Sequence, residues 1–522
     1  AAVEELEGQL AVSLSHSAVS VLPPDAPDRL RLELSALLAR ALLLAEKHDE
    51  AAALYAQGLQ HAEADPELRV VFHSELAALR VRSGDIDGAI AQLETGLSEL
   101  GWRQHSWPAQ AVITAWNVVN ELLIPRKSTH RSVRILGVYR CQMMGRRCSL
   151  LLLTNPRAAV AGTLELLATA RRVGSSGDYC ATLSILGMIL ARVLGAVRPA
   201  SRLIDRSAPY IDDASEFHQL ICHLGVLFLA LCQGQLQSVD ALRRQLRGGA
   251  DRVSNPLLKV QAESMQVMFA LARGRPDDAI QGSLQLRTSD PSTHIWGRLL
   301  AAVIALECGR SPQALVMLAE PPDEAMPTMI HRLHAIFAAW VHLIQGDPAE
   351  AARIVSQIGP TTTWMTVAYI QIADQLSWML LTGALPAEQQ AAARSLLPLL
   401  LRRGRRAVRS YPIPRLIASL ARARGALLAG RPDRARQILR RHRALAAELC
   451  AQGAIIGAEH LATAASLEGG RASPEGRQLI ELSEPLLEAS HPCMQVHTRL
   501  NRPPPPPEAF KVMWAPLDSR GG

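Results

Sequence analysis

Apolar runs at helical spacing alternate along the chain with short polar breaks, and the breaks share one form. Leu416, Leu420, Ala423 and Leu427 recur every three or four residues, which sets them on one helix face, and Gly430 follows. Glycine accepts the left-handed backbone that ends a helix, without the steric cost other residues carry. Five positions after the glycine, a small residue opens the next apolar run. The pairs are Gly84 and Ala89, Gly195 and Ala200, Gly274 and Ala279, Gly309 and Ala314, Gly346 and Ala351, and Gly430 and Ala435. A looser copy runs from Gly234 to Val239. Asp85, Asp347 and Pro432-Asp433 follow three of the glycines, and such residues suit the first turn of a helix. Larger apolar residues (Leu203, Leu242, Met317, Ile354, Ile438) stand three places beyond the small position, giving a helix pair small-against-large packing. Gly195, Gly234, Gly274, Gly309 and Gly346 are about 35 to 40 residues apart. A period of that size marks helical hairpins that bury their apolar stripes only by stacking on neighbours. The pattern predicts an all-α protein, an α-solenoid drawn out into an elongated array with a concave inner groove.

The punctuation also divides the chain. Residues 1–70 read as N-terminal helices with a degenerate repeat, in which Glu46 takes the glycine place before Ala51. Residues 71–132 read as a hairpin and a polar connection, and 133–395 as the repeat array, with one copy decayed after Gly346. Residues 396–490 form an Arg-rich set of repeats, and 491–522 a Pro-rich tail. Pro503 to Pro507 cannot continue a helix, so the tail is expected to be an extended, disordered linker.

Charge changes the picture in one place. The 522 residues carry a net charge of +7 with only four lysines, so nearly all the cations are arginine. Arg402, Arg403, Arg405, Arg406 and Arg409 head a run that continues to Arg443, and Asp433 is the single acid between residues 394 and 443. Such a face is either a solvated helix surface or a site for phosphates, nucleic acid or an acidic protein. Tyr411 is the only aromatic residue there, which counts against nucleic acid held by stacking.

Catalytic chemistry finds no foothold. The chain has no G-x-x-x-x-G-K-[ST] loop, no G-x-S-x-G elbow, no H-E-x-x-H and no H-R-D loop. His331, His334 and His342 lie along one apolar helix, and the residues between His491 and His497 include Cys493 and Met494. Packing is the better reading of the first group and a helix end that of the second, so no catalytic residue, cofactor or metal is assigned. Eight cysteines without a C-x-x-C pair suit buried, reduced thiols and a cytoplasmic protein. No apolar stretch reaches the roughly 18 to 20 residues a membrane span needs; the best candidate, Leu183 to Val197, contains Arg192 and reads as a buried helix. The chain opens on Ala1 without an initiator methionine, which reads as a segment of a longer protein.

The phrase from Leu79 through Gly84, Ala89 and Ile90 to Leu93, Gly96, Leu97, Leu100 and Gly101, with Trp107 and Pro108 beyond, carries a resemblance. It resembles the tetratricopeptide-like helical region that follows the ATPase module in large bacterial signalling proteins. Those proteins join a serine/threonine kinase or a cyclase to a STAND-type ATPase. The hairpin at Gly430 and the segment closing at Pro492 are similar to the far end of that region. The resemblance implies a non-catalytic sensor or docking arm, with a protein or peptide in its concave groove and any catalytic module upstream. Two alternatives stand beside it: the effector-sensing repeats of a transcription activator, and an arginine-rich scaffold for nucleic acid or another anionic partner.

Overall fold

The computed structural model describes residues 2–103, 135–252, 256–283, 291–307, 311–322 and 328–488, apart from 24, 46, 63–64, 84, 238, 276–277, 280–281, 320 and 360. Gly84, Gly309, the connection at 104–134, the His491 group and the Pro-rich tail therefore lie outside the described residues. Every regular element among the described residues is helical. The first helices are α1 (Ala2–Ser20), α2 (Asp28–Leu44), α3 (His48–His61), α4 (Pro66–Arg82), α5 (Ile86–Glu99), α6 (Ile135–Thr154) and α7 (Pro156–Val173). Then come α8 (Ser176–Ile189), which runs into a π-helical turn (Leu190–Leu194), α9 (Val197–Ser207), α10 (Glu216–Gln233), α11 (Asp240–Arg252) and α12 (Pro256–Ala272). α13 (Pro291–Glu307), α14 (Ser311–Leu318), α15 (Thr328–Ile344), α16 (Pro348–Gln357), α17 (Thr366–Thr382) and α18 (Ala387–Arg403) follow. The last are α19 (Arg405–Ser410), α20 (Pro412–Leu428), α21 (Pro432–Ala451), α22 (Ile455–Leu467) and α23 (Pro474–Glu488).

Local chemistry explains the punctuation. Asp85 accepts a hydrogen bond from the Gly88 N–H, and Asp347 from the Glu350 N–H, so each caps the helix it precedes. Pro66, Pro156, Pro348, Pro412 and Pro432 occupy first-turn positions, where a missing N–H costs nothing. Gly195, Gly234, Gly274, Gly346 and Gly430 all have positive φ, and Ala89, Ala200, Ala279, Ala314, Ala351 and Ala435 are buried where hairpin helices meet. One hairpin escapes the sequence pattern. Gly383, at φ 70°, ends α17 and leads to α18, but Glu388 occupies the place where the other copies have a small residue.

Packing divides the chain into two units, with the boundary between Leu183 and Ser184. In the first unit Tyr55 and Phe72 are fully buried between α3 and α4. Beyond them a polar staple joins α5 to the next hairpin. Trp102 donates its indole N–H to Glu165 at 2.8 Å, and the Arg147 guanidinium lies 4.9 Å over the same ring. Arg147 also reaches Glu94 on α5 through two hydrogen bonds, of 2.8 and 2.7 Å.

The second unit departs from an elongated array. The first helices of its hairpins touch in sequence, α10 to α12, α12 to α13, α13 to α15, α15 to α17 and α17 to α20, and then α10 meets α20. The hairpins curl through one turn until the row returns on itself. α10 and α17 are consequently buried on several faces, as expected of helices that are apolar nearly all round, and α20 buries all but the side that carries Arg415 and Arg422. The same burial corrects the reading of apolar stretches. Ser176–Leu194 and Glu216–Gln233 are long and apolar enough to cross a membrane, and 61% of each apolar window is packed inside the protein. Their hydropathy serves a crowded interior.

Candidate interaction surfaces

A clasp holds the curled row in place, and it is built on a helix end. The last carbonyls of a helix lack partners within it and need donors from elsewhere. At the π turn those donors come from far along the chain. The Tyr411 hydroxyl donates to the Ala191 carbonyl at 2.5 Å, and the Trp364 N–H to the Arg192 carbonyl at 3.0 Å. Thr363 donates to the Val193 carbonyl twice, from Oγ1 at 2.9 Å and from its N–H at 3.3 Å. Trp364 packs between Phe228 of α10 and Tyr411, with ring centroids 5.3 and 5.8 Å apart. Ala191, Ala200, Ile204, Cys232 and Ala407 complete this core. Gly195 ends the turn at φ 67°, and a Cβ there would meet the Ser410 hydroxyl at 2.0 Å. Both the backbone and the close approach of α19 therefore require glycine. Burial drives the Tyr411 hydroxyl and the Cys232 thiol well above their ordinary ranges, so both stay neutral.

The clasp fixes the direction in which α19 presents its charge. Ala407 and Tyr411 are buried against the π turn, while Arg402, Arg405, Arg406 and Arg409 are exposed. On α19, Arg405, Arg406 and Arg409 share the face opposite Ala407 and Tyr411, and Arg402 stands at the end of α18 just before the turn. At Gly404 a Cβ would meet Ile370 of α17 at 2.1 Å, so glycine lets α18 turn into α19 against that helix.

The arginine cluster thus separates into two kinds. Arg403 donates to the Ile358 and Ser356 carbonyls at the end of α16. Arg415 holds the Val408 and Arg409 carbonyls at the end of α19. Arg424, fully buried, meets Asp374 at 2.6 Å, and Arg440 grips Glu468 at 2.7 and 2.9 Å. These side chains satisfy helix ends and ion pairs. Arg402, Arg405, Arg406, Arg409, Arg422 and Arg441 remain exposed, with no acid in reach among the described residues. In the sequence Arg403 belongs to the same run as the exposed arginines; only the carbonyls it caps tell it apart.

A second surface lies on α15. His331, Ala335, Ala338 and His342 are half-buried and recur at steps of four, three and four, one stripe of the first-helix row. His334 points elsewhere, its Nε2 2.9 Å from the Leu318 carbonyl, and burial lowers its pKa. In the first unit, burial pushes the Cys141 thiol up to about 12 and that of Cys148 up to about 11.

The tetratricopeptide repeat family matches three stretches, 295–320, 333–357 and 416–441, which coincide with the hairpins α13–α14, α15–α16 and α20–α21. No curated protein sequence matches the chain. Among solved structures, the chain is similar to one in the anaphase-promoting complex hetero-tetramer Cut9–Hcn1, at 12% identity and a TM-score of 0.36. That match covers 90% of this chain and 96% of the other. It is also similar to a chain in the complex of Naa15/Naa10 bound to HypK-THB, at 12% identity and a TM-score of 0.23, over 97% and 91% of the two chains. The chain is an all-α solenoid of tetratricopeptide-like hairpins.

Proposed function

We propose that the chain is a non-catalytic scaffold for protein interaction, with the α15 stripe as its docking face. The observation that carries this reading is the stripe itself. Two alanines between two histidines leave a shallow, half-buried strip along a row of stacked helices, and an extended peptide or a partner helix fills such a strip. Larger side chains at Ala335 and Ala338 would close it. In the cell the array serves as the regulatory arm of a bacterial signalling protein that carries a kinase or a STAND ATPase, as the resemblance at Leu79 to Gly101 implies. The buried thiols of Cys141, Cys148 and Cys232 suit the reducing cytoplasm where such proteins act.

A photo-crosslinking side chain at His342, at the end of the stripe, compared with one at exposed Arg353 on α16, tests the docking face. Crosslinks from position 342 alone, lost when Ala335 becomes Arg, are the expected result. Equal labelling from both positions would overturn it. The regulatory assignment is tested separately, by the kinase or ATPase rate of the full reading frame with and without this array.

A further inference from the structure

The exposed arginines do no work in the fold. Arg402, at the end of α18, and Arg405, Arg406 and Arg409, on α19, are exposed, with no acid in reach among the described residues. Like charges at these spacings oppose each other and weaken a helix. The opposite face of the same segment is fixed by Ala407, Tyr411 and Gly404, so the guanidinium stripe is held in place and cannot be relieved by rotating the helix. Arg422 and Arg441 extend the positive surface over α20 and α21, where they border His442 together with Arg415.

We infer that this arginine surface docks an acidic segment of a protein partner. On α19 the stripe from Arg405 to Arg409 extends about 6 Å, the spacing at which a helix or strand presents successive carboxylates. Guanidinium forks bind carboxylates through paired hydrogen bonds, and arginine sheds water more readily than lysine. Other polyanions find less to hold. Tyr411 is buried, which leaves no aromatic platform for the bases of a single strand. No large apolar side chain among residues 394–443 is exposed to enter a bilayer. The surface is separate from the α15 stripe, and either can fail without the other.

The test uses the whole chain and a labelled oligoglutamate peptide at low ionic strength. Arg405→Gln with Arg409→Gln should weaken binding by about fivefold or more, from two lost surface ion pairs. Arg80→Gln with Arg103→Gln removes the same charge from exposed sites in the first unit and should leave affinity within about twofold. Affinity should also fall as salt rises. Labelled duplex DNA and phosphatidylserine vesicles serve as competing probes. Failure to bind the peptide, or equal losses in the two double variants, would overturn the inference. So would tighter binding of duplex or vesicles with the same dependence on Arg405 and Arg409.

Discussion

Buried polar side chains decide how single residues respond to pH and to substitution here. His460 is fully buried, and its Nε2 lies 2.7 Å from the Ser419 hydroxyl. Nδ1 has no partner, so a proton added there would be buried without an acceptor. Burial accordingly pulls the imidazole down from 6.5 to about 3. Below pH 6.5 the unfolded chain takes up a proton that the folded chain refuses. The stability this residue contributes is thus complete above that pH and is lost as pH falls toward 3. The loss is about 1.4 kcal/mol for each pH unit within that window. Burial also lowers His73, His223, His334 and His442, which adds to the same slope. Denaturant unfolding between pH 6 and 4.5 should show the acid slope of His460→Gln reduced by about one proton; an unchanged slope would refute the assignment. Arg424 and Asp374 make the companion case. Asp374→Ala takes the carboxylate away from a buried guanidinium and should cost about 3 kcal/mol, whereas replacing both residues by Met and Leu should cost less. A double-mutant cycle measured by chemical unfolding separates the two outcomes.

Helices and turns carry the sequence pattern unevenly, and α19 shows why. This element is six residues long, bears three arginines and no acid, and is kept helical by burial of Ala407 and Tyr411. Arg405→Gln with Arg409→Gln removes most of the like-charge spacings and should raise the melting temperature by about 1–2 °C, read by calorimetry. A drop would mean the arginines support the fold. Where a glycine stop and a small residue coincide, as at Gly346 and Ala351, the hairpin can be read from the chain, because one residue type answers each geometric demand. The hairpin α17–α18 could not be read so. Glu388 stands in the small position, and the close packing falls to Ala393 further along. The arginine stripe is half readable. Composition announces it, but only helix-end carbonyls at Ile358 and Val408 separate structural Arg403 and Arg415 from the free side chains. The π turn leaves no mark in local periodicity, since its carbonyls find partners some 170 to 220 residues later.

At the scale of the second unit, the clasp changes how a repeat array unfolds. Open arrays fray from their ends, because each hairpin touches only its neighbours. Here the π turn and α10 are tied to residues 363–364 and 411, so the early and late hairpins share one core of Ala191, Phe228, Cys232, Ala407 and Tyr411. Opening that core exposes both sets together, and the region should exchange its amide hydrogens as one cooperative unit. Tyr411→Phe removes a single buried hydrogen bond and leaves the Ala191 carbonyl with only its bond from Gly195, so it should cost about 1 kcal/mol. Gly195→Ala meets both the left-handed backbone and the Ser410 hydroxyl, and should cost more. In either variant hydrogen exchange should accelerate together in residues 184–233 and 405–428, while α15 and α16, away from the clasp, change little. Faster exchange confined to residues 405–428 would show that these hairpins open independently and that the shared core does not couple them.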